Sequence, residues 1–493
     1  MFNTTNTVAD MMRILPLLII WGTACVILLI DALLKGKAKD VNPFVALVGV
    51  IAALSMALQN AYNTESVSAF GGAVMVDGLS TVSGIALLFV ALLSVLMAWT
   101  YLKNRNLEHG EYYALLLLSV SGAMLMAMAN DLIVLFLGLE VLSFGLYVLA
   151  AFARGDEKSQ EASLKYFLLG AFASAFFLYG IALVYGATQT TAIEAIRASI
   201  SLTAAHHGAP SAMLLAGIAL MVVGLGFKAG VIPFHQWTPD VYHGAPTSVT
   251  AYMAGAAKIG AFAAILRVFD ALIPVSAYWI TVIQVIAVLT MVLGNVMAVL
   301  QTNVKRLLAY SSIAHAGYLM VAVAALAHGT EPGHTLALSG AMFYLFAYLF
   351  MTLGAFGVLA YLSSQGRDYQ ELESLRGLAR HDPGAAYAMV FFMLSLGGIP
   401  PTMGFIGKMQ IFQAALNAGE KPLAIIMALA SVIAVYYYLK IVWMMTFEEP
   451  KESAPAIPIA RFGALATVAI AAAATLVFGL FPDLLSGITG MVH

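Results

Sequence analysis

The sequence contains little charge. Only 10% of its 493 residues are Asp, Glu, Lys or Arg, whereas soluble domains have about 25%. Because 62% of the residues are hydrophobic, a soluble protein with a charged, hydrated surface is excluded. The formal net charge of −2 provides no basic surface for nucleic acid, so no nucleic-acid partner is expected.

Cysteine is almost absent, which excludes two further kinds of site. The single cysteine, Cys25, cannot form an internal disulfide, and one thiolate cannot hold an iron–sulfur cluster, which needs about four. Cys25 lies in an apolar run and is therefore expected to be a small, buried apolar side chain.

Long apolar runs dominate instead. Each is about 18 residues or longer, enough to cross a bilayer as a helix. The predicted spans, numbered 1 to 14, are 14–34, 43–61, 79–102, 112–129, 131–153, 161–188, 211–233, 246–272, 276–301, 307–327, 336–362, 385–417, 422–446 and 462–482. The longest polar stretches, 189–210 and 363–384, are too short for a nucleotide-binding domain. We therefore predict one all-α polytopic membrane domain over residues 1–493.

Basic residues are distributed unevenly between the loops. Loops after odd-numbered spans contain 14 Lys or Arg residues, whereas loops after even-numbered spans, together with the termini, contain 4. A miscounted span would reverse this alternation partway along the chain and blur the difference. The positive-inside rule therefore predicts that the odd loops are cytoplasmic and that both termini lie on the periplasmic side.

Charged residues deep in a span need a reason, because each costs at least about 2.5–3.5 kcal/mol at the bilayer centre. Glu140 follows Asp131 by nine residues, which places it roughly 13–14 Å into span 5 at 1.5 Å per residue. Lys258 lies in the middle of span 8, among small residues that allow close approach of helices or water. Both positions indicate a functional role rather than a structural ion pair.

Lys228 and Lys408 lie beside glycines and prolines that should interrupt spans 7 and 12. Their segments, GLGFKAGVIP and GGIPPTMGFIGK, resemble one another loosely and are five spans apart. Broken helices at membrane depth line buried sites or wet cavities. Because five is odd, copies related by this shift must be inverted in the membrane, a pattern typical of transporters.

Four other residues are weaker candidates for a role in proton transfer. His315, in span 10, could relay protons near neutral pH or could be an ordinary buried histidine. His235, at the break in span 7, could contribute to the site or hydrogen-bond to free backbone. Lys165 could assist proton uptake or extend to the cytoplasmic interface, whereas Lys440 is expected to extend there.

Lysine suits proton transfer in a dry site, because removal from water disfavours its charged form and a nearby carboxylate restores it. Glu140 could therefore act as a switch on Lys228. The resulting hypothesis is a path from Lys228 to Lys258, and then through His315 or water to Lys408.

Three segments carry a family resemblance. The run GFKAGVIPFHQWTPDVYHGAPTSVTAYMAGAAKIGAF, with SSIAHAGY and LSLGGIPPTMGFIGK, closely resembles the subunit N family of bacterial NADH–quinone oxidoreductase, respiratory complex I. The resemblance covers essentially the whole chain. It implies fourteen helices, broken helices 7 and 12, and inverted five-helix repeats at about 112–272 and about 276–446, with flanking helices at both ends. The family's helix 5 glutamate and its helix 7, 8 and 12 lysines match Glu140, Lys228, Lys258 and Lys408.

The resemblance also implies an activity and partners. The chain would be one proton channel of an H⁺-translocating NADH:quinone oxidoreductase, driven by quinone reduction elsewhere in the complex. It would carry no redox centre or cofactor, since NADH, FMN, iron–sulfur clusters and quinone would belong to other subunits. Its partners would be neighbouring antiporter-like and small membrane subunits, and lipids of the bacterial cytoplasmic (inner) membrane.

Two other functions remain open at this stage. One is a subunit of a multisubunit cation/proton antiporter, which shares the fold, although DVYHGAP after the broken helix is more similar to subunit N. The other is a standalone solute transporter. A row of lysines, rather than one compact site at half-helix ends, argues against that function.

Overall fold

The computed structural model describes residues 4–34, 40–61, 66–207, 209–328, 333–363, 369–450 and 462–492. In this part the chain is a bundle of α-helices. The helices are α1 (Thr4–Arg13), α2 (Leu15–Leu34), α3 (Val41–Asn60), α4 (Gly78–Arg105), α5 (Gly110–Met128), α6 (Leu132–Ala150), α7 (Glu157–Thr188), α8 (Ile193–His207), α9 (Ala212–Ala229), α10 (Trp237–Gly244), α11 (Thr247–Ala271), α12 (Ser276–Val299), α13 (Val304–Leu326), α14 (Gly333–Leu362), α15 (Leu378–His381), α16 (Pro383–Gly397), α17 (Met403–Asn417), α18 (Lys421–Thr446), α19 (Phe462–Leu480) and α20 (Asp483–Thr489). A two-stranded antiparallel hairpin, β1 (Val67–Ala69) and β2 (Val74–Val76), lies between α3 and α4.

The predicted spans correspond to helices along the whole described chain. Thirteen described helices are long and apolar enough to cross a membrane, and the remaining predicted span, 385–417, is divided between α16 and α17. The prediction of an all-α polytopic membrane fold is therefore confirmed. The small hairpin is an addition that hydrophobic runs could not indicate.

Both predicted helix breaks are present. Helix α9 is followed by Gly230 in the left-handed conformation (φ +72°), and the chain turns through Pro233 before α10 begins. Helix α16 is followed by Gly398 (φ +84°), with Pro400 and Pro401 before α17. Glycine adopts this conformation without a Cβ clash, and proline cannot continue the preceding helix, so the two residue types together end each first half.

Three helices form the centre of the bundle. The apolar segments of α11, α13 and α14 are entirely buried by the other helices. Helix α9 packs against α7 and α11, and α17 packs against α13 and α14. The residues that end the first half of each broken helix, 229–230 and 396–397, are therefore buried, whereas Pro233, Pro400 and Pro401 in the turns that follow are exposed.

Two expectations for single residues need correction, and one polar stretch contains a helix for which no prediction was made. Cys25 is exposed on α2 rather than buried. The polar stretch 189–210 contains this additional helix, α8. Lys305, counted among loop residues, lies in the first turn of α13 with 1% exposure, and its Nζ donates a 2.6 Å hydrogen bond to the Ala245 carbonyl at the end of α10.

Candidate functional site

Lys228 lies in the last turn of α9, immediately before the first helix break, and is 3% exposed. Its Nζ donates hydrogen bonds to Ser143 Oγ on α6 (2.8 Å) and to Tyr166 Oη on α7 (3.1 Å). The Tyr166 ring stacks on Trp237 of α10 with ring centres 4.5 Å apart. The residues on both sides of the break therefore build one pocket around the ammonium group.

Glu140 lies one helical turn before Ser143 on α6. It is half-buried, and its buried Oε1 has no hydrogen-bond partner among the described residues. Glu140 interacts electrostatically with Lys228, yet the described part of the chain contains no direct ion pair between them, because the Lys228 ammonium is bonded to hydroxyls. The structure thus brings the predicted carboxylate within electrostatic range of the predicted lysine, which is bound by Ser143 of the same helix as Glu140.

Lys258 lies on the fully buried helix α11 and is 4% exposed. Its Nζ donates to the Ser312 carbonyl of α13 and lies 5.1 Å from the centre of the Tyr348 ring, a cation–π contact. A small cavity of about 10 Å³ is lined by residues that include both Lys228 and Lys258. A cavity of this size has room for about one water molecule.

His315 is hydrogen-bonded through both ring nitrogens. Nδ1 lies 2.5 Å from the Tyr344 hydroxyl on α14, and Nε2 lies 3.1 Å from the Tyr438 hydroxyl on α18. The ring centre is 5.3 Å from that of Tyr348 and 5.6 Å from that of Tyr318. Because Tyr348 also contacts Lys258, the histidine continues the row of polar groups.

Lys408 completes the row from α17 and is 8% exposed. Its Nζ donates to the carbonyls of Leu396 (3.0 Å) and Gly397 (3.1 Å), at the end of α16, and lies 5.2 Å from the centre of the Tyr318 ring. A cation at these carbonyls is favoured by the helix dipole and satisfies acceptors left free by the break. Lys408 follows its helix break, whereas Lys228 precedes its own.

The three lysines of this row, Lys228, Lys258 and Lys408, share one property. None forms an ion pair within 4.0 Å in the described ranges, and each is held by hydroxyls, carbonyls or aromatic rings. Neutral acceptors leave a lysine free to exchange its proton, whereas a bound carboxylate would fix it. Across the described residues no three His, Cys, Asp or Glu side chains converge as a metal site. The arrangement therefore suits proton movement.

Three of the four weaker candidates, His315, His235 and Lys165, lie in different surroundings. His315 lies in the row, whereas His235 is half-buried in the turn between α9 and α10. Lys165 is at the surface, where its Nζ pairs with Glu161 (2.8 Å) and Asp240 (2.9 Å). Lys165 is therefore outside the buried row.

Sequence reasoning did not identify the hydroxyl residues around the row. The local signals were Ser143, three residues after Glu140, and the pair Tyr344 and Tyr348, which are four residues apart and therefore share a helix face. Tyr438 is the last of three consecutive tyrosines, and the sequence alone does not distinguish it from the other two.

Comparison with known proteins gives a consistent result. The family model described as "NADH:quinone oxidoreductase/Mrp antiporter, TM" matches residues 129–434. A relative described as NADH-quinone oxidoreductase subunit N 1, from Solibacter usitatus, is 40% identical over 475 residues, covering 96% of this chain and 95% of the relative.

Solved structures extend the comparison to the fold. A chain of respiratory complex I from Thermus thermophilus has a TM-score of 0.79 and 36% identity, covering 96% of this chain and 98% of that one. A chain of the Mrp complex from Dietzia has a TM-score of 0.85 at 21% identity, with 99% and 97% covered, so it shares the fold. The chain therefore belongs to the NADH:quinone oxidoreductase/Mrp antiporter family of transmembrane proteins.

Proposed function

We propose that this chain is a proton-translocating membrane subunit of an NADH–quinone oxidoreductase, respiratory complex I. The observation that carries the proposal is the continuous buried row from Lys228 through Lys258 and His315 to Lys408, held by neutral groups. The chain matches a relative described as NADH-quinone oxidoreductase subunit N 1 and a chain of respiratory complex I over nearly its whole length, which supports the assignment to complex I. Oxidation of NADH and reduction of quinone occur in other subunits, which hold the FMN and iron–sulfur clusters.

Proton movement along the row begins with the Glu140–Lys228 interaction. While the Glu140 carboxylate is charged and near, Lys228 retains its proton. When the carboxylate is neutralised or moves away, Lys228 releases a proton through one water molecule to Lys258. His315 then carries it onward to Lys408, and the return of charge on Glu140 allows Lys228 to be reloaded. Quinone reduction in other subunits supplies the energy that switches Glu140 between two states, one charged and near Lys228, the other neutralised or moved away.

The two broken helices define two proposed repeats, at about 112–272 and about 276–446. Packing supports this division. Helix α5 packs against α6 as α12 packs against α13, and α7 contacts the broken helix α9 as α14 contacts α16 and α17. Each repeat then contributes one interrupted helix with a lysine beside the break. The remaining helices flank these units.

The proposed location is the bacterial cytoplasmic (inner) membrane, with both termini on the periplasmic side. The uneven distribution of basic residues supports this orientation; Met1 and His493 themselves lie outside the described residues. In this setting the chain would contact neighbouring antiporter-like and small membrane subunits as well as lipid.

A second candidate is a subunit of a multisubunit cation/proton antiporter, favoured by the fold shared with the Mrp chain. Extraction in mild detergent, followed by identification of the retained partners, separates the two. Co-purification of flavin and iron–sulfur subunits with NADH–quinone activity is expected. Recovery with antiporter subunits alone would overturn the complex I assignment.

The relay itself is tested by Glu140→Gln, which preserves shape but removes the charge that acts on Lys228. We expect normal assembly with a joint loss of proton pumping and NADH–quinone turnover, measured in NADH-energised vesicles with other pumps inhibited. Glu157→Gln, the same change at an exposed residue of α7, serves as the matched control. Normal pumping by assembled Glu140→Gln complexes would show that Glu140 is not the switch.

A further inference from the structure

The surroundings of His315 define the direction of its hydrogen bonds. Both partners, Tyr344 and Tyr438, are buried, with 0% and 1% exposure, and they come from different helices. A neutral imidazole has one N–H donor and one acceptor nitrogen. The two tyrosine hydroxyls must therefore have opposite roles, one accepting from the ring while the other donates to it.

The charges that face His315 favour a neutral ring. The described groups with an electrostatic effect on it are the two lysines, Lys258 and Lys408. The other side chains around the ring are tyrosines, of which Tyr318 and Tyr348 are also in ring contact with it. A doubly protonated imidazolium would therefore face like charge in a dry site without a carboxylate. A proton has to cross this ring by exchange of tautomers.

We propose that Tyr344 and Tyr438 are relay residues that make His315 a one-proton shuttle. The inference rests on the proposed function and specifies how protons pass between Lys258 and Lys408. It assigns a task to two residues, on α14 and α18, that the Glu140 and lysine relay does not include.

In one direction, a single proton crosses the His315 ring in two coupled transfers. The ring begins with its proton on Nε2, donating to the Tyr438 oxygen, while the Tyr344 hydroxyl donates to Nδ1. The Tyr344 proton moves to Nδ1, and a proton delivered by a water molecule replaces it on the Tyr344 oxygen. The Nε2 proton moves to the Tyr438 oxygen, whose own proton passes on through Ser311, the other hydrogen-bond partner of that hydroxyl. One proton enters, one leaves, and the ring remains neutral.

A second transfer requires a reset. After one transfer the ring carries its proton on Nδ1, so both tyrosine hydroxyls point the wrong way for another proton in the same direction. They must reorient, and the ring must turn so that its N–H again faces Tyr438, before the next cycle. The shuttle therefore passes protons one at a time.

Tyr112 provides a matched control. It is as deeply buried as Tyr344, at 0% exposure, and belongs to α5. Its hydroxyl donates to Ser248 Oγ (2.9 Å) rather than to His315. Removing either the Tyr112 or the Tyr344 hydroxyl leaves a buried partner group unpaired, so the structural costs are similar, whereas only the Tyr344 hydroxyl contacts His315.

The experiment compares Tyr438→Phe, Tyr344→Phe and Tyr112→Phe in the assembled complex. In Tyr438→Phe and Tyr344→Phe we expect proton pumping and coupled turnover to fall by about a hundredfold or more, which is the low end of the range for loss of a positioned acid–base group. Tyr112→Phe should retain near wild-type rates. The solvent deuterium isotope effect on turnover should rise in the first two variants, because proton transfer becomes rate-limiting. A purely structural role would leave that isotope effect unchanged.

The outcomes separate this inference from the proposed function. Normal rates and isotope effects in Tyr438→Phe and Tyr344→Phe, with Glu140→Gln inactive, would overturn the shuttle alone. Normal pumping in Glu140→Gln would instead reject the relay on which it rests. If Tyr438→Phe fails to assemble, Tyr344→Phe and Ser311→Ala decide: unchanged isotope effects in both overturn the shuttle.

Discussion

Lys228 is bound by two hydroxyls rather than by a carboxylate, and this arrangement makes a sharp prediction. A fixed positive charge would be replaced well by arginine, which remains charged in proteins, whereas a proton carrier would not. We expect Lys228→Arg to assemble but to lose most proton pumping and coupled turnover. A native gel checks complex content, and a pH-sensitive dye reports acidification of NADH-energised vesicles.

Lys165→Arg is the control for this substitution, because Lys165 forms surface ion pairs that arginine can also make. It should pump normally. Near-normal acidification in Lys228→Arg would identify Lys228 as a static structural charge, and proton movement would have to use other groups.

Lys408 and Lys440 test whether the burial of a lysine, rather than its charge alone, determines its effect on proton pumping. Lys408 is buried and bonded to carbonyls at a helix break, whereas Lys440 is half-buried and lines a groove on α18. We expect Lys408→Ala to impair pumping far more than Lys440→Ala, each normalised to assembled complex. Equal losses would contradict the assignment of Lys408 to the relay and of Lys440 to the interface.

The charged residues of the relay could be predicted from sequence, because a lysine inside an apolar run is costly and therefore conspicuous. Their partners could not. Ser143 and Lys228 are 85 residues apart, and His315 and Tyr438 are 123 apart. Serine and tyrosine are ordinary in membrane helices, so only tertiary packing distinguishes these hydroxyls from others of the same kind.

At the scale of helices, the turn after α16 couples backbone conformation to Lys408. Gly398 has φ +84°, and a Cβ there would lie 3.1 Å from Lys408 Cδ and 3.2 Å from its Nζ. We expect Gly398→Ala to cost about 1 kcal/mol or more in backbone strain and to displace the Lys408 ammonium, which lowers pumping. Stability is followed by thermal unfolding of the extracted complex.

The adjacent Gly397→Ala is the comparison for that substitution. Its Cβ would meet its nearest neighbour, Tyr438 Cδ2, at an ordinary 3.7 Å, and its φ lies outside the left-handed region. Pumping should remain near wild type. A similar loss in both alanine variants would show that the turn is merely fragile, rather than fitted to Lys408.

Helix α8 illustrates what hydrophobic runs miss. Its buried residues Ile193, Ile196 and Ile200 are three and four positions apart and form one apolar stripe, while the other positions are largely polar or small. A search for unbroken apolar runs does not detect such a helix, although the 3.6-residue period was available. The spans and both breaks were predictable because membrane insertion and proline impose stronger local rules.

At the scale of the whole molecule, the orientation of the bundle is open to direct measurement. The 14-to-4 division of loop cations predicts that the chain ends outside. Alkaline phosphatase fused after His493 should be active, and a cytoplasm-only fluorescent reporter at the same place should remain dark. The reverse pattern would overturn the proposed orientation of the chain.

The position of Cys25 has a consequence for inhibitor studies. The only thiol in the sequence is exposed on α2, whereas the proton path consists of amines, an imidazole, a carboxylate and hydroxyls. Oxidants and alkylating reagents that target sulfhydryl groups therefore have nothing to modify along this path. If such reagents inactivate the intact enzyme, the damaged group should be sought at Cys25 or in a different polypeptide, away from the proton path.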